Sequence, residues 1–245
     1  MIAPITATFH TALDVATGTG QAAATLANRF QVVYATDLSE KQIASADQTK
    51  RNVQYTVGSA DKLNFPDGSL DLVTTAQAIH WFEDMPNRFY KEVCRVLRPR
   101  GTLAVWSYAV CDIPNQPELT RLLHEYHFKT LGPFWDARRR IVDDKLKDIH
   151  LPLAHQVREE FEFTKQVSLE HLVSYLKTWS SYRQYLESQG KSYRPEEDPL
   201  HVLAAKYVLR NSSLLHHVSR IIDSCLGFGL LCPTSLWTPY CSGFQ

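Results

Sequence analysis

The first 108 residues alternate short runs of β-branched and apolar residues with stretches that favour helix. The apolar runs predict strands at 11–16, 31–36, 53–57, 70–75 and 102–106. The intervening segments predict helices at 21–30, 40–49 and 87–97. Strands that alternate with helices in this way are typical of βαβ units, so we expect an α/β fold with a doubly wound, mostly parallel sheet.

The pattern changes after Tyr108, where helical stretches rich in aromatic and charged residues take over. Helices are predicted at 119–131 and 169–187, and an alternating segment at 158–164 is typical of a further strand. We therefore expect a Rossmann-like core at 1–110, a helical cap with the far edge of the same sheet at 111–210, and an irregular tail at 211–245.

Composition and charge exclude several classes of protein. Lys and Arg together number 26, as do Asp and Glu, so no net field draws the chain to nucleic acid or to an anionic membrane surface. No apolar run approaches the roughly 20 residues that cross a bilayer. The five cysteines are scattered and contain no Cys-x-x-Cys pair, which argues against a disulfide framework or zinc site. We expect a cytoplasmic protein that binds neither nucleic acid nor membrane.

The most informative turn follows the first predicted strand and leads directly into a helix. It contains Thr17, Gly18 and Gly20, and glycine allows a ligand to approach the backbone amides at a helix N-terminus. Asp37 ends the second strand, seventeen residues after Gly20, where a carboxylate accepts hydrogen bonds from the hydroxyls of a ribose. Gly-x-Gly alone also suits a purely structural turn. The two adjacent strand ends together predict a nucleoside site.

A third acid, Asp61, follows the third strand within Gly58-Ser-Ala-Asp61. A carboxylate at this position accepts a hydrogen bond from the exocyclic amine of adenine. Taken alone, a solvated loop carboxylate is an equally good interpretation. The prediction therefore depends on its combination with the other two strand ends.

These signals together resemble the class I S-adenosylmethionine-dependent methyltransferases. The resemblance is carried by Asp14-Val-Ala-Thr-Gly-Thr-Gly20, Asp37, Ser59-Ala-Asp61, 65–73 and 96–103, in that order. It implies S-adenosylmethionine as cofactor, with the glycine turn at the methionine portion, Asp37 at the ribose and Asp61 at the adenine. The first glycine of the family motif is replaced by Ala16, which we expect to weaken cofactor approach. The implied cofactor-binding residues are Asp14, Ala16, Thr17, Gly18, Gly20, Asp37, Leu38, Ala60, Asp61 and Gln77.

Within this superfamily, Gln77-Ala-Ile-His-Trp-Phe82 resembles the trans-aconitate-methyltransferase-like subgroup, as do 132–143 and 163–182. That resemblance implies methyl transfer to a small molecule, with carboxyl O-methylation as the finer expectation. His80 is then the candidate catalytic residue, as a base or a hydrogen-bonding gate, and a histidine packed beside Trp81 is equally consistent with the sequence. The candidate substrate residues are Trp81, Trp135, Arg138 and Arg139, and the arginines also fit a solvated basic face.

Two alternatives remain open at this point. Gly18-x-Gly20-x-x-Ala23 with Asp37 also fits a nicotinamide-dependent dehydrogenase, although Asp14 and Asp61 then have no role. The second alternative is a catalytically impaired methyltransferase-like fragment, because only ten residues precede the first strand and the tail after about Arg210 offers no evident partner strand. The sequence identifies neither the methyl acceptor nor the oligomeric state.

Overall fold

A seven-stranded sheet flanked by helices organises the described part of the chain in this computed structural model. The structure describes residues 10–82, 86–151, 156–190, 194, 198–201, 204 and 220–233. The strands are β1 (Thr11–Val15), β2 (Val32–Asp37), β3 (Val53–Val57), β4 (Leu70–Ala76), β5 (Leu97–Tyr108), β6 (Val157–Ser168) and β7 (Arg220–Pro233). Their order across the sheet is β3-β2-β1-β4-β5-β7-β6, and the first five pair in parallel. The predicted doubly wound α/β fold is confirmed.

Most helices are shorter than the sequence predicts, although the helix predicted at 87–97 has the predicted length, shifted by one residue. The helices are α1 (Gln21–Leu26), α2 (Glu40–Ala44), α3 (Pro86–Val96), α4 (Pro117–Glu125), α5 (Arg140–Asp143), α6 (Leu169–Leu176) and α7 (Ser180–Gln189). The single helix expected at 169–187 is in fact two, α6 and α7. Within the described residues, no helix combines the length and apolar character needed to span a membrane.

The chain divides into two compact units. The first unit holds the described residues up to Ser107, those between Ile141 and Glu160, and the end of β7; the second holds Tyr108–Arg140 and the described residues of Phe161–Gly227. The predicted division into 1–110, 111–210 and 211–245 differs from this one, because a segment within the predicted cap returns to the first unit. The prediction of an irregular tail at 211–245 is wrong for residues 220–233. These residues form β7, which lies between β5 and β6 in the sheet.

Each unit has a hydrophobic core of its own. In the first unit the two faces of the sheet carry separate clusters, centred on Leu13 and Phe89 on one face and on Val33 and Leu72 on the other. Because both faces of the sheet are covered, β4 is buried along nearly its whole length, including its polar residues Asp71, Thr74 and Thr75. In the second unit Leu123 is fully buried among residues of α4, α6 and α7.

The fifth strand begins earlier than predicted. The helix predicted at 87–97 ends at Val96, just before Arg98-Pro-Arg-Gly101, and β5 begins at Leu97 rather than at Thr102. The strand pairing shifts register between Leu70 and Leu72, and Arg100 adopts a φ of 70°, so these residues form an irregular entry into β5. Any side chain on Gly101 would press on the carbonyl oxygens of Arg98 and Leu70. Glycine is therefore required here for close packing.

Candidate cofactor site at the strand ends

Backbone hydrogen bonds bring the turns after the first three strands together. The Thr17 amide donates to the Thr36 carbonyl at 2.9 Å, and the Gly58 amide donates to the Asp37 carbonyl at 3.0 Å. Because β1, β2 and β3 are neighbouring parallel strands, their carboxyl ends lie along one edge of the sheet. This edge is where open α/β sheets bind ligands, as the sequence analysis expects.

The two glycines of the turn are needed for different reasons. Gly18 has a φ of 59° and Gly20 a φ of 90°, both in the left-handed region that glycine occupies without cost. A Cβ on Gly18 would meet nothing within 4 Å, so the backbone there faces open space. A Cβ on Gly20 would instead overlap the Tyr55 phenol. Gly18 therefore leaves room for a ligand, whereas Gly20 makes room for Tyr55.

Ala16 stands where the family motif has its first glycine, and its backbone behaves as a glycine would. Its φ is 56°, in the left-handed region. For a residue with a Cβ this conformation costs about 1 kcal/mol. The sequence predicts only that the methyl group of Ala16 hinders the cofactor. The structure shows in addition that the backbone of Ala16 is strained.

Asp14 lies underneath the turn, at the end of β1. Its side chain is 1% exposed and accepts hydrogen bonds from the hydroxyls of Thr17 and Thr74, both at 2.6 Å. The backbone amide of Ala23 in α1 also hydrogen-bonds to it. Burial raises the pKa of Asp14 to about 6, against the lowering effect of these hydrogen bonds. Asp14 is one of the cofactor contacts expected from the sequence. Because its carboxyl is buried, it instead supports the glycine turn from below.

Asp37 is connected directly to the glycine turn. One carboxylate oxygen accepts from the Gly18 amide at 2.8 Å, and the other accepts from the Ser39 amide at 2.8 Å. A carboxylate oxygen has two lone pairs, so each retains the capacity for a further hydrogen bond. The neighbouring Leu38 is 75% exposed.

Asp61 follows β3 on the same edge. It accepts a hydrogen bond from the Ser59 hydroxyl at 2.5 Å and lies 3.7 Å from the guanidinium of Arg88, whose side chain is largely exposed. Ala60 packs against the core of the first unit, which fixes the loop. Asp61 lies on the loop that leaves β3 at this edge, three residues after Gly58, whose amide donates to the Asp37 carbonyl, and Ser59 and Arg88 contact its carboxylate.

Gln77 ends β4 with a strained backbone. Its φ is 55°, its amide donates to the Trp106 carbonyl at 2.9 Å, and its side-chain oxygen accepts from the Ser107 hydroxyl. Strained residues cluster at functional sites. The hydrogen bond from Ser107 fixes the side chain of Gln77, which the sequence predicts as a cofactor contact. Nothing in the sequence pattern identifies Ser107 as its partner.

His80 and Trp81 lie in a short 3₁₀ turn, Ile79–Phe82. His80 is 6% exposed and its ring lies 4.8 Å from that of Trp81, which is 40% exposed. Of the two interpretations that the sequence leaves open, this arrangement favours the histidine packed beside Trp81. Trp81 presents an accessible aromatic surface.

The remaining predicted residues lie in the second unit. Arg138 forms a two-point contact with Asp136, in which Nε and Nη2 each lie 2.8 Å from a carboxylate oxygen. The Arg139 guanidinium lies 4.9 Å from the centre of the Trp135 ring. Arg138 and Arg139 are neighbours in the sequence, but their side chains have different environments. Arg138 is tied to its own turn, whereas Arg139 is stacked on an aromatic face.

Sequence reasoning missed Thr74, the second hydroxyl partner of Asp14. In the structure Asp14 and Thr74 are directly paired positions of β1 and β4. The available signal is a polar residue within the apolar run of β4, but it becomes informative only once the strand order is known.

Comparison with known proteins gives a consistent result. Residues 13–105 match the methyltransferase domain family. A Dictyostelium discoideum protein named as a methyltransferase is 36% identical over 187 residues, which are 76% of this chain and 70% of that protein. A demethylmenaquinone methyltransferase of Thermotoga maritima is 32% identical over half of this chain and about half of its own length. A solved type II methyltransferase from Anaeromyxobacter dehalogenans superposes with a TM-score of 0.76 at 25% identity, covering 94% of this chain and 92% of that one.

The buried carboxyl of Asp14 makes stability depend on pH. Its pKa is raised in the folded protein, so the stability it contributes is present below pH 4 and is lost as pH rises through about 6. The Asp14→Asn variant lacks this titration. Between pH 4 and 7 we expect the free energy of unfolding of the wild type to fall relative to that of the variant by up to about 3 kcal/mol, measured by urea titration. Parallel pH profiles would contradict this role.

The strain at Ala16 predicts that glycine is tolerated or preferred there. Ala16→Gly relieves the left-handed conformation and increases the entropy of the unfolded chain, so we expect a net stabilisation of up to about 1 kcal/mol. Ala12→Gly is the matched control, because Ala12 is fully buried in β1, four residues before Ala16, and is not at positive φ. That variant is expected to lose about 1–2 kcal/mol. Urea denaturation of both variants measures the difference, and equal losses would refute it.

Proposed function

The chain belongs to the class I S-adenosylmethionine-dependent methyltransferases, and from that membership we propose that it methylates a carboxylate oxygen of a small organic acid. The enzyme class is therefore methyltransferase rather than nicotinamide-dependent dehydrogenase. The finer placement, in the trans-aconitate-methyltransferase-like subgroup, is part of the proposal and is supported by the run Gln77–Phe82. The observation that carries the choice of acceptor is the Arg139 guanidinium stacked on Trp135.

The residues at the strand ends fit S-adenosylmethionine. The Gly18 backbone faces open space, Asp37 keeps lone pairs for ribose hydroxyls, and exposed Leu38 offers an apolar surface to a base. We assign Asp61 and Ala60 to the adenine end and the turn with Gly20 to the methionine end. When bound, the cofactor supplies an electrophilic methyl group on a positively charged sulfur. The role of Asp14 is to keep the turn in shape beneath this site.

A carboxylate acceptor places modest chemical demands on the protein. It is already ionised at neutral pH, so no residue has to remove a proton. The protein must position the acceptor oxygen and exclude water. A guanidinium binds a carboxylate through two parallel hydrogen bonds, which fixes both position and orientation. Arg138 and Arg139 are our candidates for this contact; Arg139 lies on the face of Trp135, and Arg138 is braced by Asp136.

His80 and Trp81 contribute differently under this proposal. His80 is buried beside Trp81, so we assign it to the support of the aromatic residue rather than to proton transfer. Trp81 is partly exposed and is suited to contact an acceptor through its ring. Because methylation of a carboxylate needs no base, the reaction does not require proton transfer by His80.

Asp37→Asn tests the cofactor assignment. The amide replaces one charged acceptor by a donor, so we expect the dissociation constant for S-adenosylmethionine, measured by calorimetry, to rise about 10- to 100-fold. Asp47→Asn is the matched control, since Asp47 is exposed and its carboxylate accepts local hydrogen bonds from Thr49, including one from the Thr49 amide at 2.9 Å. Undiminished affinity in Asp37→Asn would remove the ribose assignment.

A transfer assay with methyl-labelled cofactor tests the acceptor class. We expect the purified protein to label small di- and tricarboxylic acids as base-labile esters, and not the corresponding amides, because only the acids offer an ionised oxygen. Phenols and amines serve as the competing acceptor classes. Labelling confined to phenols or amines would overturn the carboxylate proposal while leaving the methyltransferase assignment intact.

A further inference from the structure

The helix α3 carries three charged side chains along one face. Arg88, Glu92 and Arg95 are separated by four and three residues, a spacing that makes them neighbours on an α-helix. All three contact the segment 61–67, which follows the loop after β3. That segment begins with Asp61, which we assign to the adenine end of the cofactor. The charged face of α3 therefore lies along the part of the chain that carries this assignment.

Glu92 and Arg95 hold each other in a two-point pair. Nε and Nη2 of the guanidinium each donate to a different carboxylate oxygen, both at 2.8 Å. The hydrogen bonds from Arg95 hold the pKa of Glu92 below its ordinary value, so the carboxylate is charged at neutral pH. Both side chains are mostly shielded from solvent, with 18% of Glu92 and 31% of Arg95 exposed. The two side chains therefore act as one unit.

This pair binds the backbone of the segment 61–67. Glu92 Oε2 accepts from the Leu63 amide at 2.7 Å. Arg95 donates from Nη2 to the Leu63 carbonyl and from Nη1 to the Phe65 carbonyl, both at 2.7 Å. Leu63 is 3% exposed, so the loss of these partners would leave buried backbone groups unpaired, which is costly. Two side chains of α3 thus fix the position of this segment.

We propose that Glu92 and Arg95 are positioning residues for recognition of adenine, because they fix the segment whose first residue is Asp61. This inference rests on the proposed function and adds the residues that set the base specificity of the site. Asp61 lies two residues before Leu63. Its contact with Arg88, at 3.7 Å and largely exposed, contributes little by itself. An acceptor discriminates between bases only when it is held within about 0.5 Å of its productive position.

Two ligands that differ only in one group on the purine test this role. S-Adenosylhomocysteine carries the exocyclic amine, and its 6-deamino analogue carries hydrogen in that place. A carboxylate positioned to accept from the amine is left unpaired by the analogue, so we expect the wild type to bind S-adenosylhomocysteine at least about 10-fold more tightly, measured by calorimetry. Arg95→Lys keeps the charge but loses the planar fork that reaches both carbonyls. We expect its preference to fall to within about threefold.

Two further variants complete the experiment. Glu92→Gln keeps an acceptor for the Leu63 amide but loses the charge that holds Arg95, so we expect an intermediate preference. Arg121→Lys is the matched control, because Arg121 pairs with Glu118 at the same spacing on α4, in the other compact unit. It should keep the preference of the wild type. Melting temperatures establish that folded proteins are compared, and Glu92→Gln decides if Arg95→Lys does not fold.

The outcomes separate this inference from the function on which it rests. Loss of the preference in a folded variant, with the affinity for the deamino analogue within about twofold of wild type, supports the positioning role. Equal loss of affinity for both ligands, or an unchanged preference in the folded variants, overturns it while the adenine assignment stands. Asp61→Asn tests that assignment separately. If the wild type shows no preference, or if Asp61→Asn keeps it, the adenine assignment fails and the inference falls with it.

Discussion

The buried carboxyl of Asp14 is the interaction on which the candidate cofactor site depends. It joins the hydroxyl of Thr17 in the glycine turn to that of Thr74 in β4, and it also accepts from the Ala23 amide in α1. One side chain thus connects two central strands, the turn and the following helix. Because the turn is held from below, the backbone at Gly18 keeps a shape that leaves it open above. The site is built on a polar group that the solvent does not reach.

The two compact units use different means of recognition. In the first, the proposed cofactor contacts are the glycine turn and Asp37, which the sheet itself holds in place. In the second, the proposed acceptor contacts are side chains on short turns, such as Trp135 and Arg139. Short turns accommodate substitution more readily than sheet strands.

Features that depend on local periodicity could be predicted from the sequence, whereas those that depend on tertiary pairing could not. The five parallel strands and the proximity of Gly18 to Asp37 follow from alternation and from the shared edge of parallel strands. The strand β7 lacks a clear alternation, because its formation depends on its neighbours β5 and β6. The hydroxyl of Thr74 becomes a partner of Asp14 only through strand register. The π-helical turn at Tyr126–Thr130, which continues α4, leaves no period in the sequence.

The contact between Gly20 and Tyr55 has a consequence for the history of this fold. A methyl group at position 20 would overlap the phenol at position 55, so a larger residue at the turn requires the tyrosine side chain to move or to be replaced by a smaller one. The left-handed backbone at Gly20 adds a second constraint on the same position. Aligned orthologues should therefore show these two positions varying together, with bulk on one strand exchanged for bulk in the neighbouring loop.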